Sequence, residues 1–319
     1  MKKALIIGIN SQIGIFLSQV LIENNYKVYG TINCSVDKII TSAYFDKLII
    51  SKCNLENTLS IVKILDRICP DEIYLLAAQT NPAESWLKPQ KTLEVNFISV
   101  IPVLEWLRSS SNAKLLFTSS AEVYETSSII NEDSLTHPST PYGLGKAAAS
   151  EMINLYRARY NVRASIAILF NNDSRYRTEN YVLPKVIKTL QRIRNGSNEI
   201  LKLGNLDTKR SWGLSSEFSK AIFLINQAGS GHDFIVSSSH IYSIKEVVEK
   251  VCCFFTLELE WHNKEIGFSK KLDRKIIEVS NNLIRKDDKS FDFIDCSKLK
   301  EITGWEHSKD FNLIIEEIK

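Results

Sequence analysis

Glycine is scarce in this chain, 12 of 319 residues, and proline scarcer, seven in all and none beyond Pro184. A collagen-like repeat or a low-complexity disordered tract needs far more of both, so neither applies. Six cysteines, at positions 34, 53, 69, 252, 253 and 296, form no Cys-x-x-Cys pair and share no metal-ligand spacing. They read as reduced thiols of a cytoplasmic protein, and neither a disulfide framework nor a structural zinc site is expected. Charge of one sign is missing too: 40 Lys and Arg against 37 Asp and Glu leave +3, too little for a nucleic-acid or membrane footprint. The first apolar run, Ala4–Ile7, falls far short of the roughly 20 residues that span a bilayer, so no signal peptide or membrane helix is expected. His137, His232, His240, His262 and His307 share no metal or triad spacing and read as surface or capping residues, so no metal is expected. What is present is 44% hydrophobic and 24% charged residues, over a length that can bury a sizeable core.

Short apolar runs bounded by turn residues alternate with stretches of helical periodicity. Ala4–Ile7, Lys27–Thr31, Lys47–Ile50, Glu72–Leu76, Lys114–Thr118 and Arg163–Leu169 read as strands. Gln12–Asn24, Leu55–Ile68, Lys91–Ser109 and Tyr142–Tyr160 read as the helices between them. Strands alternating with helices imply an α/β fold with a Rossmann-type, doubly wound parallel sheet. Right-handed crossovers then put every strand C-terminus on one edge, where ligands bind in such sheets. From about residue 171 the pattern changes to short strands (Glu199–Leu203, Asp233–Val236) and helices (Val182–Asn195, Glu217–Gln227, Ser243–Phe255). The expected division is a dinucleotide-binding domain, 1–170, and a smaller C-terminal substrate-binding cap, 171–319, with some segments returning to the sheet. The polar stretch Trp261–Asp288 reads as a mobile loop, and Cys252 and Cys253 read as core.

The first strand runs into Gly8-Ile9-Asn10-Ser11-Gln12-Ile13-Gly14 and then an apolar helix. Unpaired N–H groups and the positive end of the helix dipole would cradle a pyrophosphate there. Gly8, Asn10, Ser11, Gln12, Ile13 and Gly14 are therefore candidate contacts to a dinucleotide. The spacing is G-x-x-S-x-x-G, so a Cβ at Ser11 must fit where glycine lets backbone approach phosphate most closely. After the second strand, Thr31-Ile32-Asn33-Cys34-Ser35 supplies neither an acid for a ribose 2′-hydroxyl nor an arginine for a 2′-phosphate. NAD versus NADP stays open on these residues, with Asn33 the candidate contact. Asn54-Leu55, after the third strand, could meet the adenine or simply open the next helix.

The fifth strand ends in Thr118-Ser119-Ser120-Ala121-Glu122-Val123-Tyr124, and Tyr142-Gly143-Leu144-Gly145-Lys146 comes next on a helix that puts Tyr142 and Lys146 on one face. A lysine ammonium lowers the pKa of a neighbouring phenol. The phenolate, near a serine hydroxyl, can take a proton from a substrate alcohol while hydride leaves for a nicotinamide. Joined to the phosphate loop and to Leu76-Ala77-Ala78-Gln79 after the fourth strand, this set resembles the extended short-chain dehydrogenase/reductase superfamily over essentially the whole chain. The resemblance implies that Leu76, Ala77 and Ala78 line the cofactor beside Tyr142 and Lys146.

Ile168-Leu169-Phe170-Asn171-Asn172-Asp173-Ser174, then Arg177, Tyr181-Val182 and Lys185, resembles the ILFNHES…R…FV…K stretch of GDP-mannose 4,6-dehydratases. Leu203-Gly204-Asn205-Leu206-Asp207-Thr208-Lys209-Arg210-Ser211-Trp212-Gly213 is similar to their LGNLDxxRDWG run, more closely still. Ser85 stands where that family has a substrate-binding serine, Asn96 at its V-N/D position, and Ile284-Arg285-Lys286-Asp287-Asp288 resembles its RPxEV segment. The resemblance implies a nucleoside-diphosphate-sugar pocket, GDP-sugar favoured, with Arg210 and Arg285 on the diphosphate. Asn171, Val182 and Lys185 would line the nucleotide side. It also implies NADP(H) as cofactor, with NAD(H) left open; a homodimer is the expected assembly.

Two departures stand beside the matches. The family carries two arginines after its second strand, used for the NADP 2′-phosphate and subunit contacts, where this chain has Asn33 and Cys34. The family's Thr-Ser-Glu strand end is Ser120-Ala121-Glu122 here, so one hydroxyl is gone and the carboxylate stays. The expected activity is that of a nucleotide-sugar 4,6-dehydratase: Tyr142, with Ser120 and Lys146, removes the C4 hydroxyl proton, and Glu122 removes the C5 proton before water leaves C6. A 4-keto-sugar reductase or 4-epimerase would use Tyr142, Lys146 and the cofactor without a C5 base. A cofactor-binding protein without turnover is the alternative that Ser11, Ala121 and the missing ribose selector suggest.

Overall fold

The computed structural model describes residues 1–33, 44–109, 112–125, 129–229, 231–238, 241–284, 289–308 and 310–319. Seven strands form its central sheet: β1 (Lys3–Ile7), β2 (Lys27–Ile32), β3 (Leu48–Lys52), β4 (Glu72–Leu75), β5 (Lys114–Ser120), β6 (Ala164–Leu169) and β7 (Asp233–Val236). Their order is β7-β6-β5-β4-β1-β2-β3, and every pairing is parallel. The apolar run of β1 shows why: Leu5 and Ile7 enter the core on one face while Ala4 and Ile6 enter it on the other, so no position faces water. Helices α1 (Gln12–Glu23) and α6 (Ser215–Gln227) pack together over one face. Helices α2 (Thr58–Ile68), α3 (Val100–Ser109) and α4 (Pro141–Tyr160) cover the other.

The second half of the chain is interleaved with this sheet. Strand β7 pairs with β6, and Arg157 of α4 holds Asp233 of β7 at 2.6 Å. A separate apolar cluster joins α5 (Val182–Arg194), the helix Ile244–Phe254 and the C-terminal helix Asn312–Ile318. It also includes part of a four-stranded sheet ordered Leu259–His262, Ile266–Ser269, Arg274–Val279, Leu201–Leu203.

Several expectations are corrected here. Trp261–Asp288 is not one loop: Ile266–Ser269 and Arg274–Val279 within it are strands of that sheet. Ile276 and Ile277 are fully buried, and Lys270, one of the charges that suggested a loop, pairs with Glu260 of the neighbouring strand at 3.0 Å. The helix expected over Lys91–Ser109 is broken into Pro89–Leu93, a wide turn Glu94–Ile98 and α3. The break centres on Asn96, which is buried and bonds both backbone groups of Gln79, accepting from its N–H at 2.8 Å and donating to its carbonyl at 3.0 Å. Helix α2 opens at Thr58 under an Asn57 cap, three residues later than Leu55 suggested. Cys252 is buried but its neighbour Cys253 is exposed, as consecutive residues on an amphipathic helix must differ. His307 is buried, not superficial: its Nε2 lies 3.1 Å from the Leu214 N–H and 2.9 Å from Glu217. Among the described residues no helix is long and apolar enough to cross a membrane, and no group of His, Cys, Asp or Glu could hold a metal ion.

Candidate active site

The turn after β1 is built on Gly8, whose φ of +96° suits glycine and whose missing Cβ would lie 2.8 Å from Ala77. The N–H groups of Gly8 and Ile9 both donate to the Thr31 carbonyl, at 3.2 and 3.1 Å, pinning the turn over β2. Ser11 then caps α1. Its Oγ accepts from the Gly14 N–H at 3.1 Å and donates to the Gly8 carbonyl at 2.8 Å, so the extra hydroxyl folds back into the loop. Gln12 ties the loop to the chain after β6, donating to the Asn172 carbonyl at 2.9 Å and accepting from Ser174 at 2.9 Å. A helix N-terminus facing a cleft, and a turn whose two glycines leave room for close packing against Ala77 and the loop carbonyls, fit a dinucleotide pyrophosphate.

That cleft, of about 350 Å³, runs along the C-terminal edge of the sheet from Ser11, Gln12 and Ile13 to Arg210. Leu76 and Ala78 after β4, the strand end Thr118–Glu122, and Tyr142 and Lys146 from α4 form its Rossmann-side wall. Thr140 caps α4 through the Gly143 N–H at 3.0 Å, with Pro141 at the first helical position. Gly143 itself lets the helix touch the strand end: a Cβ there would lie 2.5 Å from the Glu122 carbonyl.

Burial dominates the electrostatics. Lys146 donates to the Thr118 carbonyl at 2.7 Å and stands 4.6 Å from the Phe117 ring centre, and burial drops its pKa to about 7. Burial likewise pushes the Tyr142 phenol up to about 12; a hydrogen bond with Ser120 opposes the rise, Glu122 adds to it, and Arg177 opposes it. The expected depression of the phenol by the lysine charge is not what this structure shows: burial is the largest influence on Tyr142, and the opposing pull comes from Ser120 and Arg177. The Ser120 Oγ also accepts from the Glu122 N–H at 3.3 Å.

Of the other residues singled out by sequence, Asn171 and Arg210 line the cleft, and the Asn171 carbonyl accepts from Gly213 at 3.0 Å. Ser85 does not line it: this buried hydroxyl donates to the Pro82 carbonyl at 2.6 Å. Lys185 reaches the Lys202 carbonyl at 2.6 Å, and Val182 opens α5; neither lines the cleft. Asn10 is half-buried in the phosphate loop and Asn33 is exposed after β2. The Asn54 side chain accepts from Glu56 N–H at 3.1 Å, while Leu55 is buried. Arg285 and Cys34 lie outside the described residues.

Three further residues close the cleft. The Arg177 guanidinium lies 3.6 Å from the Tyr181 ring centre and 3.3 Å from buried Asp173, whose carboxyl burial raises in pKa against the pull of the arginine. The Tyr181 hydroxyl meets the Thr80 hydroxyl at 3.2 Å, joining the loop after β4 to the start of α5. The four-residue spacing of Asp173, Arg177 and Tyr181 is the sequence signal for this stack; nothing in the sequence marks Thr80.

Comparison with known proteins agrees with this arrangement. The family model described as GDP-mannose 4,6 dehydratase matches residues 5–318. A GDP-mannose 4,6 dehydratase of Cricetulus griseus is 28% identical over 335 residues, covering 99% of this chain and 90% of its own. GDP-mannose 4,6 dehydratase 2 of Arabidopsis thaliana is 30% identical over 331 residues, covering 99% and 85%. The crystal structure of dTDP-glucose 4,6-dehydratase from Bacillus anthracis, in complex with NAD, superimposes with a TM-score of 0.82 at 18% identity, covering 100% of this chain and 95% of that one. The match of a single family model from the first strand to the last helix carries the conclusion: this chain belongs to the GDP-mannose 4,6 dehydratase family.

Proposed function

We propose that the chain is a nucleotide-sugar 4,6-dehydratase acting on GDP-mannose or a related GDP-sugar, with NAD(P) bound along the cleft. The observation that carries this reading is the gathering of Ser120, Glu122, Tyr142 and Lys146 in one cleft that starts at a helix N-terminus. The bound nicotinamide supplies a hydride acceptor that later acts as donor. As the phenolate, Tyr142, hydrogen-bonded to Ser120, takes the proton of the C4 hydroxyl as hydride leaves C4. The resulting ketone acidifies the C5 hydrogen. Glu122 takes that proton and delivers it to the C6 hydroxyl, which departs as water; the hydride returns to C6, and the proton that Tyr142 took from the C4 hydroxyl balances the one that C5 regains. Lys146, buried behind the phenol, places a cation or a neutral amine there according to pH.

Arg210 would pair with the diphosphate, with Arg285 beside it on family resemblance, and residues 171–319 would act mainly as the substrate cap. A homodimer fits Leu144 and Leu155 of α4, half or more exposed about three turns apart on one helix face. A cytoplasmic setting fits the free cysteines among the described residues. Mass spectra of products from a panel of nucleoside-diphosphate hexoses test the reaction: loss of one water is expected with a GDP-hexose. Turnover without that loss would instead indicate a reductase or epimerase, and absence of any turnover a binding protein.

A further inference from the structure

We propose that Lys289 is a positioning residue for Glu122, a buried ammonium that holds the turn carrying the C5 base. This rests on the reading of Glu122 as that base. Lys289 is only 5% exposed, and its Nζ donates to the Glu122 carbonyl at 2.9 Å and also to the Tyr124 carbonyl. Among the described residues it has no carboxylate within ion-pairing distance, so the two carbonyls are what an expensive buried cation is held by.

The turn Ala121–Val123 is then fixed from several sides. Ser120 holds the Glu122 N–H at 3.3 Å, Lys289 holds its carbonyl, and Gly143 packs beneath that carbonyl. His137 N–H donates to the Val123 carbonyl at 2.8 Å. The next two residues of the chain anchor the lysine itself. Ser290 accepts from the Lys209 N–H at 3.0 Å, and Phe291 packs edge-on against Phe170 at 5.3 Å. Lys209 adjoins Arg210, and Phe170 adjoins Asn171, both in the cleft. The segment 289–291 therefore ties the substrate side of the cleft to the turn that carries the proton acceptor, and Lys289 is the bond that reaches across.

The test compares Lys289→Met and Lys289→Arg with wild type on a GDP-hexose that wild type dehydrates. Displacing a base by about 1 Å can cost on the order of 10²-fold. Lys289→Met should therefore lose at least about tenfold in kcat with KM changed less than about threefold, and Lys289→Arg should recover most of it. The loss should fall on water release: in a single turnover Lys289→Met should build up reduced cofactor, because hydride transfer at C4 does not use Glu122. Should Lys289→Met fail to fold by circular dichroism, Lys289→Gln, which keeps one donor without charge, is read in the same assays with the same expectations. A kcat within about twofold of wild type, or equal slowing of hydride transfer and water release, overturns the proposal. If wild type itself releases no water, the dehydratase reading falls and takes this role with it; if wild type does and the variant matches it, the positioning role alone falls.

Discussion

The side-chain nitrogen of Lys146 reaches the carbonyl of Thr118 at 2.7 Å, one strand end from Ser120. The lysine is 2% exposed, and burial lowers its pKa from 10.5 to about 7. Unfolded, it keeps its proton to the higher value. Between about pH 7 and 10.5 the unfolded chain therefore binds more protons, and stability from this group increases with pH across that window. Lys146→Met should remove the gain. Urea unfolding of wild type and variant across the window should show wild type improving relative to the variant by up to about 1.4 kcal/mol per pH unit. A constant difference would mean that the lysine titrates as it does in water.

Tyr142→Phe removes the proton acceptor and leaves the ring in its place. The kcat for dehydration should fall by roughly 10²–10⁴-fold, while nucleotide-sugar affinity by calorimetry should stay within about threefold. A variant that keeps most of its rate would move the C4 base elsewhere.

Glu122→Gln separates the two proton transfers. Reduced cofactor should accumulate in a single turnover, since oxidation at C4 remains possible, and the product mass should show no loss of water. Normal elimination by this variant would favour another base.

Family resemblance points to NADP, while the ribose loop carries a selector for neither cofactor. Asn33 is exposed at the end of β2 and offers no charge to a 2′-phosphate, while Lys38, the nearest basic residue after it, lies outside the described residues. Wild type should therefore bind NADP and NAD within about one order of magnitude of each other, less than about 1.4 kcal/mol. Asn33→Arg should shift the ratio toward NADP, because a guanidinium forks onto phosphate oxygens. Calorimetry with both nucleotides decides; a strong wild-type preference for NADP would overturn the expectation and show that a cation does meet the 2′-phosphate.

At the opposite edge of the sheet, Glu72 is 1% exposed and gathers donors from three parts of the fold. It accepts from Tyr26 at 2.9 Å, Tyr74 at 2.7 Å, and Asn226 and Gln227 of α6 at 3.1 Å each. Glu72→Ala would strand these groups without an acceptor, at a cost of about 3 kcal/mol or more. A melting temperature unchanged from wild type would show that water replaces the carboxylate.

Local signals make the first half of the chain legible. Gly8 before Ser11, and Tyr142 four residues before Lys146, are short-range patterns, and a strand buried on both faces reads directly as an apolar run. What escapes such reading depends on distant partners. The broken helix at Glu94–Ile98 results from Asn96 bonding Gln79, and the direction of the Tyr142 shift results from burial, which no spacing reports. The sheet around Arg274–Val279 is hidden because that strand, Arg-Lys-Ile-Ile-Glu-Val, fully buries only Ile276 and Ile277 between charged neighbours and so resembles a loop in composition. Thr80 meets Tyr181 only once the two halves close on each other.

The place of β7 at the margin of the central sheet has a consequence for how the chain is made. Until residue 236 has left the ribosome, β6 has no partner on its outer side, although every other strand of the sheet is already available. Its free row of N–H and carbonyl groups is then a template for pairing with another nascent chain. Helix α6 arrives just before β7, and the Arg157–Asp233 ion pair forms only when β7 docks. Pairing of that strand is therefore a late event in synthesis.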